Sequence, residues 1–253
     1  MNILFIGDIF ANAGLKVTKS FLKEYRHDYD FIIANGENVA GGKGITRKHF
    51  KELKNMGIDV ITLGNHVWDN REALDIVEES PSLIRPYNLP PNSPGFGYYV
   101  FTTKSGEKIA VCNLLGRVYM DSNDCPFRAM DSILEEHPTD IPLFLDFHAE
   151  ATSEKKVLAY YLRGHVSALV GTHTHIPTAD ARIDGGTAYI TDVGMTGVSD
   201  SAIGMDYEAV LERFIIKQPR RFKPAEGDAN VNAVAISLDG PIATSIEHIQ
   251  WYG

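Results

Sequence analysis

The sequence Gly-Thr-His-Thr-His at positions 171–175 determines how the rest of the chain is interpreted. It follows Ser-Ala-Leu-Val (167–170), an apolar run typical of a buried strand. His173 and His175 are two residues apart, so a continued strand would place both side chains on one face. Just past a strand end the backbone is free to turn, and both imidazoles can then point into one crevice. Two histidines at this spacing and position predict metal ligands.

Four other apolar runs end in a similar way. Predicted strands at 3–7, 31–36, 60–64 and 143–147 are followed by Asp8, Glu37, Asn65-His66 and His148, respectively. Each case alone is also compatible with ordinary turn chemistry, because Asp, Asn and Gly are common after strands. In open α/β sheets, however, ligands bind outside the carboxyl ends of the strands. Five such strand ends together predict a metal site at one edge of a sheet.

The composition indicates a globular protein and argues against broad binding to duplex nucleic acid. At 253 residues the chain can build a sizeable core within one α/β domain. Lys and Arg total 24 against 33 Asp and Glu, and the net charge of −9 disfavours broad contact with nucleic-acid phosphates. Two cysteines do not make a disulfide framework. Because no signal peptide or membrane-spanning run is recognisable, we expect a cytoplasmic protein with no membrane segment.

The order of predicted elements indicates two sheets. Strands and helices alternate over the first 80 residues, which predicts a parallel sheet. Residues 81–97 contain five of the twelve prolines and predict a loop that bridges one sheet to another. The segments 98–102 and 108–114 predict a hairpin, and 231–238 with 242–250 predict a closing antiparallel pair.

The candidate ligands suit two borderline metal ions. Asp, Glu, Asn and three His form an oxygen–nitrogen set without sulfur, which favours Fe, Mn or Zn. The set is too large for one tetrahedral ion, so we expect two. Two ions about 3.5–4 Å apart can generate a hydroxide and clamp an in-line phosphoryl displacement. Two divalent ions, two carboxylates and a hydroxide leave a charge of about +1, which matches a phosphodiester.

These motifs resemble those of the calcineurin-like metallophosphoesterases. The residues that carry the resemblance are Asp8, Gly-Asn-His (64–66), His148 and 171–175, and the segments 35–44, 146–155 and 172–180 are similar to the bacterial YmdB-type branch. The resemblance implies an α/β fold, a four-layer αββα sandwich of two mixed β-sheets flanked by helices. It further implies one metallophosphoesterase domain over residues 1–253 and phosphodiesterase activity, notably on 2′,3′-cyclic nucleotides.

The resemblance also implies a role for each candidate residue. Carried over by position, Asp8 and His175 bind the first metal, Asn65, His148 and His173 bind the second, Glu37 bridges the two, and His66 protonates the leaving alkoxide. The implied reaction is attack by a metal-bridging hydroxide on a small phosphodiester. We expect two transition-metal ions per chain, iron ahead of manganese or zinc. RNA ends are a further candidate substrate, and we expect a homo-oligomer.

The chain departs from the broader superfamily at two ligands. The usual Asp-x-His after the first strand is Asp8-Ile9-Phe10 here, and the usual bridging Asp is Glu37. Both changes fit the YmdB-type branch. Asn38 is the nearest residue with a spare oxygen and is our candidate for the missing ligand. The alternative is that Asn38 only shapes the glycine-rich loop through an Asx-turn, and the sequence leaves the two open.

Rival functions are a phosphomonoesterase or protein phosphatase on the same scaffold, and a regulatory protein with a structural metal site. The uncoordinated His66 argues against the regulatory protein, since a structural cluster has no use for it. Asp146 and Glu150 flank His148, and the sequence does not decide between ring orientation and surface charge or capping. Trp68 is expected to serve packing.

A short basic run near the C-terminus is expected to be a solvated face. It comprises Lys217, Arg220, Arg221 and Lys223.

Overall fold

The computed structural model describes residues 1–217 and 223–253, with strands and helices named here in chain order. The strands are β1 (Asn2–Ile6), β2 (Phe31–Asn35), β3 (Val60–Thr62), β4 (Leu83–Ile84), β5 (Tyr98–Thr102), β6 (Lys108–Leu115), β7 (Leu143–His148), β8 (Ala168–Thr172), β9 (Arg182–Asp184), β10 (Thr187–Ile190), β11 (Gly197–Val198), β12 (Ala229–Asp239) and β13 (Ile242–Tyr252). The α-helices are α1 (Ala11–Tyr25), α2 (Arg47–Asn55), α3 (Glu72–Glu79), α4 (Pro126–Glu136), α5 (Thr152–Leu162) and α6 (Tyr207–Ile216).

The first sheet is mixed, with the strand order β11–β12–β1–β2–β3–β4 and with β13 paired to β12. Strands β1 to β4 are parallel, as the strand–helix alternation predicts. The predicted closing pair is confirmed, because β12 and β13 are antiparallel. Strand β12 also runs antiparallel to β1 and so extends the sheet on that side.

The second sheet is also mixed, with the strand order β5–β6–β7–β8–β10–β9. Its central strands β6, β7, β8 and β10 are parallel, and the edge strands β5 and β9 are antiparallel to their neighbours. The predicted hairpin is therefore confirmed as β5–β6. The segment 81–97 leads from one sheet to the other as expected, but it is not all loop, because Leu83–Ile84 pairs with β3.

Alternating side chains divide the core into layers. On β1, Ile3 and Phe5 point between the sheets, whereas Leu4 and Ile6 point outward. Phe5 stacks on Phe144 of β7 across this interior, with ring centroids 5.4 Å apart. Each fully buried side chain of this kind contributes about 1.5–3 kcal/mol.

Two outer layers of helices complete a four-layer sandwich. Helices α1, α2 and α3 cover the outer face of the first sheet, and α4 and α5 cover the outer face of the second. A local signal positions α2: the side chain of Thr46 accepts a hydrogen bond from the backbone N–H of His49 and caps the helix. Within residues 1–217 and 223–253, no helix has the length and apolar character needed to cross a bilayer.

Candidate active site

The candidate site lies where the carboxyl ends of parallel strands from both sheets meet. In the first sheet, Asp8, Glu37 and Asn65 each follow a strand end by two or three residues. In the second sheet, His148 and Thr172 are the last residues of β7 and β8. Side chains from neighbouring parallel strands converge at such an edge, which is why ligands bind there.

Nε2 of His148 is surrounded by one potential metal-ligating atom each from Glu37, Asn65 and His173. We call these four residues the His148 ligand set. Oε1 of Glu37 lies 2.9 Å from this nitrogen, Oδ1 of Asn65 3.0 Å and Nδ1 of His173 3.0 Å. A proton on Nε2 points at one acceptor, whereas a divalent ion takes several oxygen and nitrogen ligands at once. Ligand atoms of Glu37, His148 and His173 all lie within 4.8 Å of one another. The set fits a borderline metal ion.

A hydrogen-bonded relay fixes which nitrogen of His148 is free. The hydroxyl of Thr172 donates to Oδ1 of Asp146 at 2.7 Å, so it must accept from Nδ1–H of His148 at 2.9 Å. Nε2 is thereby left to bind an ion. Oδ2 of Asp146 accepts from Thr62 and Asn35 of the first sheet, at 2.6 and 3.1 Å. Burial raises the pKa of Asp146 to about 6, so it remains mainly ionised at neutral pH.

A second group of atoms, the Asp8 ligand set, comprises Asp8, Asn38 and His175. Oδ1 of Asp8 and Oδ1 of Asn38 are buried, and no hydrogen-bond partner for either lies in the described part of the chain. Buried acceptors without partners are uncommon and call for an explanation such as a bound ion. Nδ1 of His175 donates to the carbonyl of Ile203 at 2.9 Å, which leaves Nε2 free, 3.9 Å from Oδ1 of Asp8.

The contacts of Asn38 are compatible with both roles that the sequence left open, that of a metal ligand and that of a residue that shapes the loop. Its Nδ2 donates to the carbonyl of Gly42 at 2.9 Å and so shapes the glycine-rich loop. Its buried Oδ1 remains available to a cation. Phe10, at the position of the missing histidine, packs edge-on against His175 with ring centroids 5.6 Å apart.

The electrostatics of the site pair a carboxylate with an imidazolium. Burial alone would raise the pKa of Glu37, but the charge and hydrogen bonds of His148 and the backbone N–H of His66 lower it to about 2. Burial alone would lower the pKa of His148, but the nearby carboxylates, Glu37 above all, raise it to about 9. Burial and the positive charge of His148 lower the pKa of His173 to about 3. Burial raises the pKa of Asp8. A proton on Nε2 of His148 therefore lies between this nitrogen and Oε1 of Glu37.

Because Gly64 has no side chain, there is space beside it for the His148 ligand set. A Cβ at this position would lie 2.5 Å from Nε2 of His148 and would also contact Oε2 of Glu37. No residue with a side chain fits without displacing the ligands. The glycine after β3 thus belongs to the site although it supplies no ligand.

His66 lies at the exposed side of the site, outside the centre of both ligand sets. Its Nδ1 is 2.9 Å from Oδ2 of Asp69, and its backbone N–H donates to Oε2 of Glu37 at 3.0 Å. Its Nε2 lies 3.5 Å from Nδ2 of Asn65, beside the His148 set. The side chain is 22% exposed, so a substrate can reach it. Asp69 orients this ring and was not among the sequence-predicted residues.

A sequence profile of the YmdB-like protein family matches residues 4–249. The chain belongs to the YmdB-like family. The 2′,3′-cyclic-nucleotide 2′-phosphodiesterase of Bacillus subtilis (strain 168) is 45% identical over an alignment of 255 positions, and the alignment covers 98% of this chain and 96% of that protein. A crystal structure of a hypothetical protein from Thermus thermophilus has a TM-score of 0.95 and 44% identity, covering 100% of this chain and 99% of that one.

A crystal structure described as a novel phosphatase from Mycoplasma pneumoniae has a TM-score of 0.94 and 35% identity, covering 100% of this chain and 93% of that one. The resemblance drawn from the motifs is therefore confirmed. The four-layer sandwich of this YmdB-like protein is the metallophosphoesterase fold, as predicted.

The structure places the other residues that the sequence singled out in different surroundings. Asp146 is fully buried and orients His148 through Thr172, whereas Glu150 is half exposed, with a carboxylate oxygen 3.2 Å from Nε2 of His173. Trp68 packs against the core under the first sheet's helices. In the predicted basic run, Arg220 and Arg221 lie outside the described residues, and the two flanking lysines are exposed.

The sequence interpretation missed a buried ion pair beside the site. Nζ of Lys155, in α5, lies 2.8 Å from Oδ2 of Asp192, which follows β10. Both side chains are buried. Two signals could have found them. Asp192 follows a strand end in the same way as Asp8, and Lys155 shares the periodic face of Leu158 and Leu162 where an apolar residue is expected.

Proposed function

We propose that this chain hydrolyses small phosphodiesters, 2′,3′-cyclic nucleotides foremost, with two divalent transition-metal ions. Family membership implies a hydrolase of phosphoester bonds that uses divalent metals. The named activity of the Bacillus subtilis relative supports the finer choice of substrate. The high identity over nearly the whole of both chains makes transfer of the reaction class reasonable.

The observation that carries the proposal is the convergence of the His148 ligand set beside an uncoordinated His66. In our assignment, Glu37, Asn65, His148 and His173 hold one ion. A purely structural site needs no imidazole next to it, oriented by a carboxylate and open to solvent. That juxtaposition favours catalysis over a regulatory role.

The Asp8 ligand set would hold the other ion. Asp8 and Asn38 would contribute their buried unpaired oxygens and His175 would contribute Nε2, and Glu37 would be shared between the two ligand sets. When bound, the two ions supply an activated water near neutral pH and positive charge against the phosphoryl oxygens. Imidazole and carboxylate ligands favour Fe, Mn or Zn over Ca²⁺ or Mg²⁺, and we place iron first.

The chain's own residues supply the proton for the leaving group. Asp69 accepts from Nδ1–H of His66, which directs Nε2 toward the site. A proton on Nε2 of His66 is then in position to reach the departing alkoxide. General acid catalysis of this kind is worth about 10²–10⁴ in rate. The effect is largest for a poor leaving group such as a ribose oxygen.

The proposal is tested by metal content and turnover on matched substrates. Elemental analysis of reconstituted protein should give about two ions per chain, as the two ligand sets require. Rates should be compared on 2′,3′-cyclic nucleotides, bis-p-nitrophenyl phosphate, p-nitrophenyl phosphate and short RNA with a cyclic phosphate end. Faster turnover of the monoester than of either diester would favour a phosphomonoesterase and overturn the proposal.

The role of His66 is tested with one variant and a matched control. His66→Ala should keep both ions but lose about 10²–10⁴ in rate on cyclic nucleotides, with a smaller loss on nitrophenyl diesters. His165→Ala alters an exposed histidine of the chain and should leave both rates unchanged. Equal losses on both leaving groups would show that His66 positions the substrate instead of protonating it.

A further inference from the structure

A buried ion pair lies directly behind the histidines of the site and has no part in the proposed reaction. Lys155 is fully buried in α5, and its Nζ donates to Oδ2 of Asp192 and to the carbonyl of Thr172, both at 2.8 Å. Asp192 is buried as well. A buried lysine is rare and is retained only when its charge is paired.

Asp192 uses both carboxylate oxygens to hold neighbouring backbone. Its Oδ2 also accepts from the backbone N–H of Thr174 at 3.1 Å and from the Thr174 hydroxyl at 2.8 Å. Its Oδ1 accepts from the N–H of Gly194 at 2.9 Å. Hydrogen bonds to an ionised acceptor are stronger than neutral ones. Thr174 is therefore anchored through both main chain and side chain.

The residues on either side of Thr174 have strained backbone. His173 has φ of 99° and His175 has φ of 67°, a region that residues with a Cβ seldom adopt. Such conformations persist only where the surroundings impose them. The anchored residues are Thr172, held by Lys155, and Thr174, held by Asp192. They flank His173 on both sides, and Thr174 directly precedes His175.

We propose that the Lys155–Asp192 pair positions His173 and His175 so that each histidine is presented to its own ligand set. Lys155 and Asp192 are positioning residues: they hold the loop in its strained conformation through Thr172 and Thr174. The inference rests on the proposed function, because the two histidines are assigned there as metal ligands. It predicts that loosening this anchor weakens both metal sites together, because the anchor holds the loop that carries both histidines.

The sharpest test uses Thr174, because removal of the buried pair itself can prevent folding. Thr174→Val keeps the ion pair and the backbone N–H but loses the hydroxyl that donates to Asp192. Thr174→Ser restores that hydroxyl. Binding of Mn²⁺ to metal-free protein, measured by calorimetric titration, should weaken about 10–100-fold at both sites in Thr174→Val. Thr174→Ser should bind like the wild type.

Lys155→Met and Lys156→Met form a second, matched pair of variants. Lys156 is the next residue of α5 and is exposed, so Lys156→Met controls for loss of a lysine from this helix. Lys155→Met should weaken Mn²⁺ binding at both sites if it folds, and Lys156→Met should not. Equal Mn²⁺ affinity of Thr174→Val and Thr174→Ser, at any thermal stability, would overturn the inference and leave the pair a merely stabilising one.

A readout on metal-free protein separates this inference from the proposed function. The ring resonances of His173 and His175 in NMR spectra should shift in Thr174→Val and stay in place in Thr174→Ser. A wild type that binds Mn²⁺ but hydrolyses no phosphodiester would refute the proposed function while the affinity comparison still decides the inference. Should the wild type bind no Mn²⁺, unchanged ring resonances in Thr174→Val would refute the inference by themselves.

Discussion

Metal binding at the His148 ligand set should release about one proton per ion at neutral pH. The neighbouring carboxylates outweigh burial and hold the pKa of His148 near 9, so Nε2 carries a proton in the metal-free protein. A metal ion needs the unprotonated nitrogen. At pH 7.5, which is about 1.5 below that pKa, about one molecule in 30 offers a free Nε2. The apparent affinity is then about 30-fold, or about 2 kcal/mol, below its value at high pH.

The direction in which metal affinity changes with pH follows from the direction of the pKa shift of His148. Because the pKa of His148 is raised, affinity should increase by about tenfold per pH unit up to about pH 9 and level off above it. Calorimetric titrations of Mn²⁺ in two buffers of different ionisation enthalpy, repeated between pH 6.5 and 8.5, measure the protons released. An NMR titration of the His148 ring in metal-free protein measures the pKa directly.

One substitution should lower the pKa of His148. Glu37→Gln removes the largest influence that raises the pKa of His148, so burial should then dominate and lower it. An NMR titration of the His148 ring in the metal-free variant should show a pKa below the wild-type value. Glu150→Gln is the control, because it removes an exposed carboxylate that contacts His173 rather than His148. Wild-type protein that releases no proton, with affinity independent of pH, would refute the reasoning.

Three further predictions concern single side chains. Gly64→Ala should lose the ion of the His148 set while the fold survives, because the added methyl overlaps the ligands; elemental analysis checks it. Asn38→Ala should weaken the ion of the Asp8 set alone and Asn38→Asp should restore it; a titration that shows both sites weakened equally, or neither, would leave the loop role standing. Asp146→Asn should weaken binding at the His148 set about 10–100-fold, because the relay through Thr172 loses its charged acceptor; Mn²⁺ titration measures it.

The position of the candidate ligands at strand ends could be predicted from the sequence because this placement is a local property. An apolar run followed by Asp8, Glu37 or His148 puts that residue at the carboxyl end of a strand. Asp8 and Glu37 then lie at the carboxyl edge of the first sheet and His148 at that of the second, and ligands bind at such edges. The helices and the two hairpins were predictable for the same reason. Periodicity, Thr46 as a cap and the turn residues all act within a few positions.

Only the tertiary structure decided how those residues are supported. Asn35 and Asp146 are 111 positions apart in sequence and 3.1 Å apart in space, a contact that no local pattern indicates. The same holds for Lys155 and Asp192, which propensity assigns to the surface and which the fold buries together. The protonation of His148 also depends on carboxylates from other strands. Burial and long-range pairing set the charge, the tautomer and the strain of this site, and these arise only when the two sheets pack together.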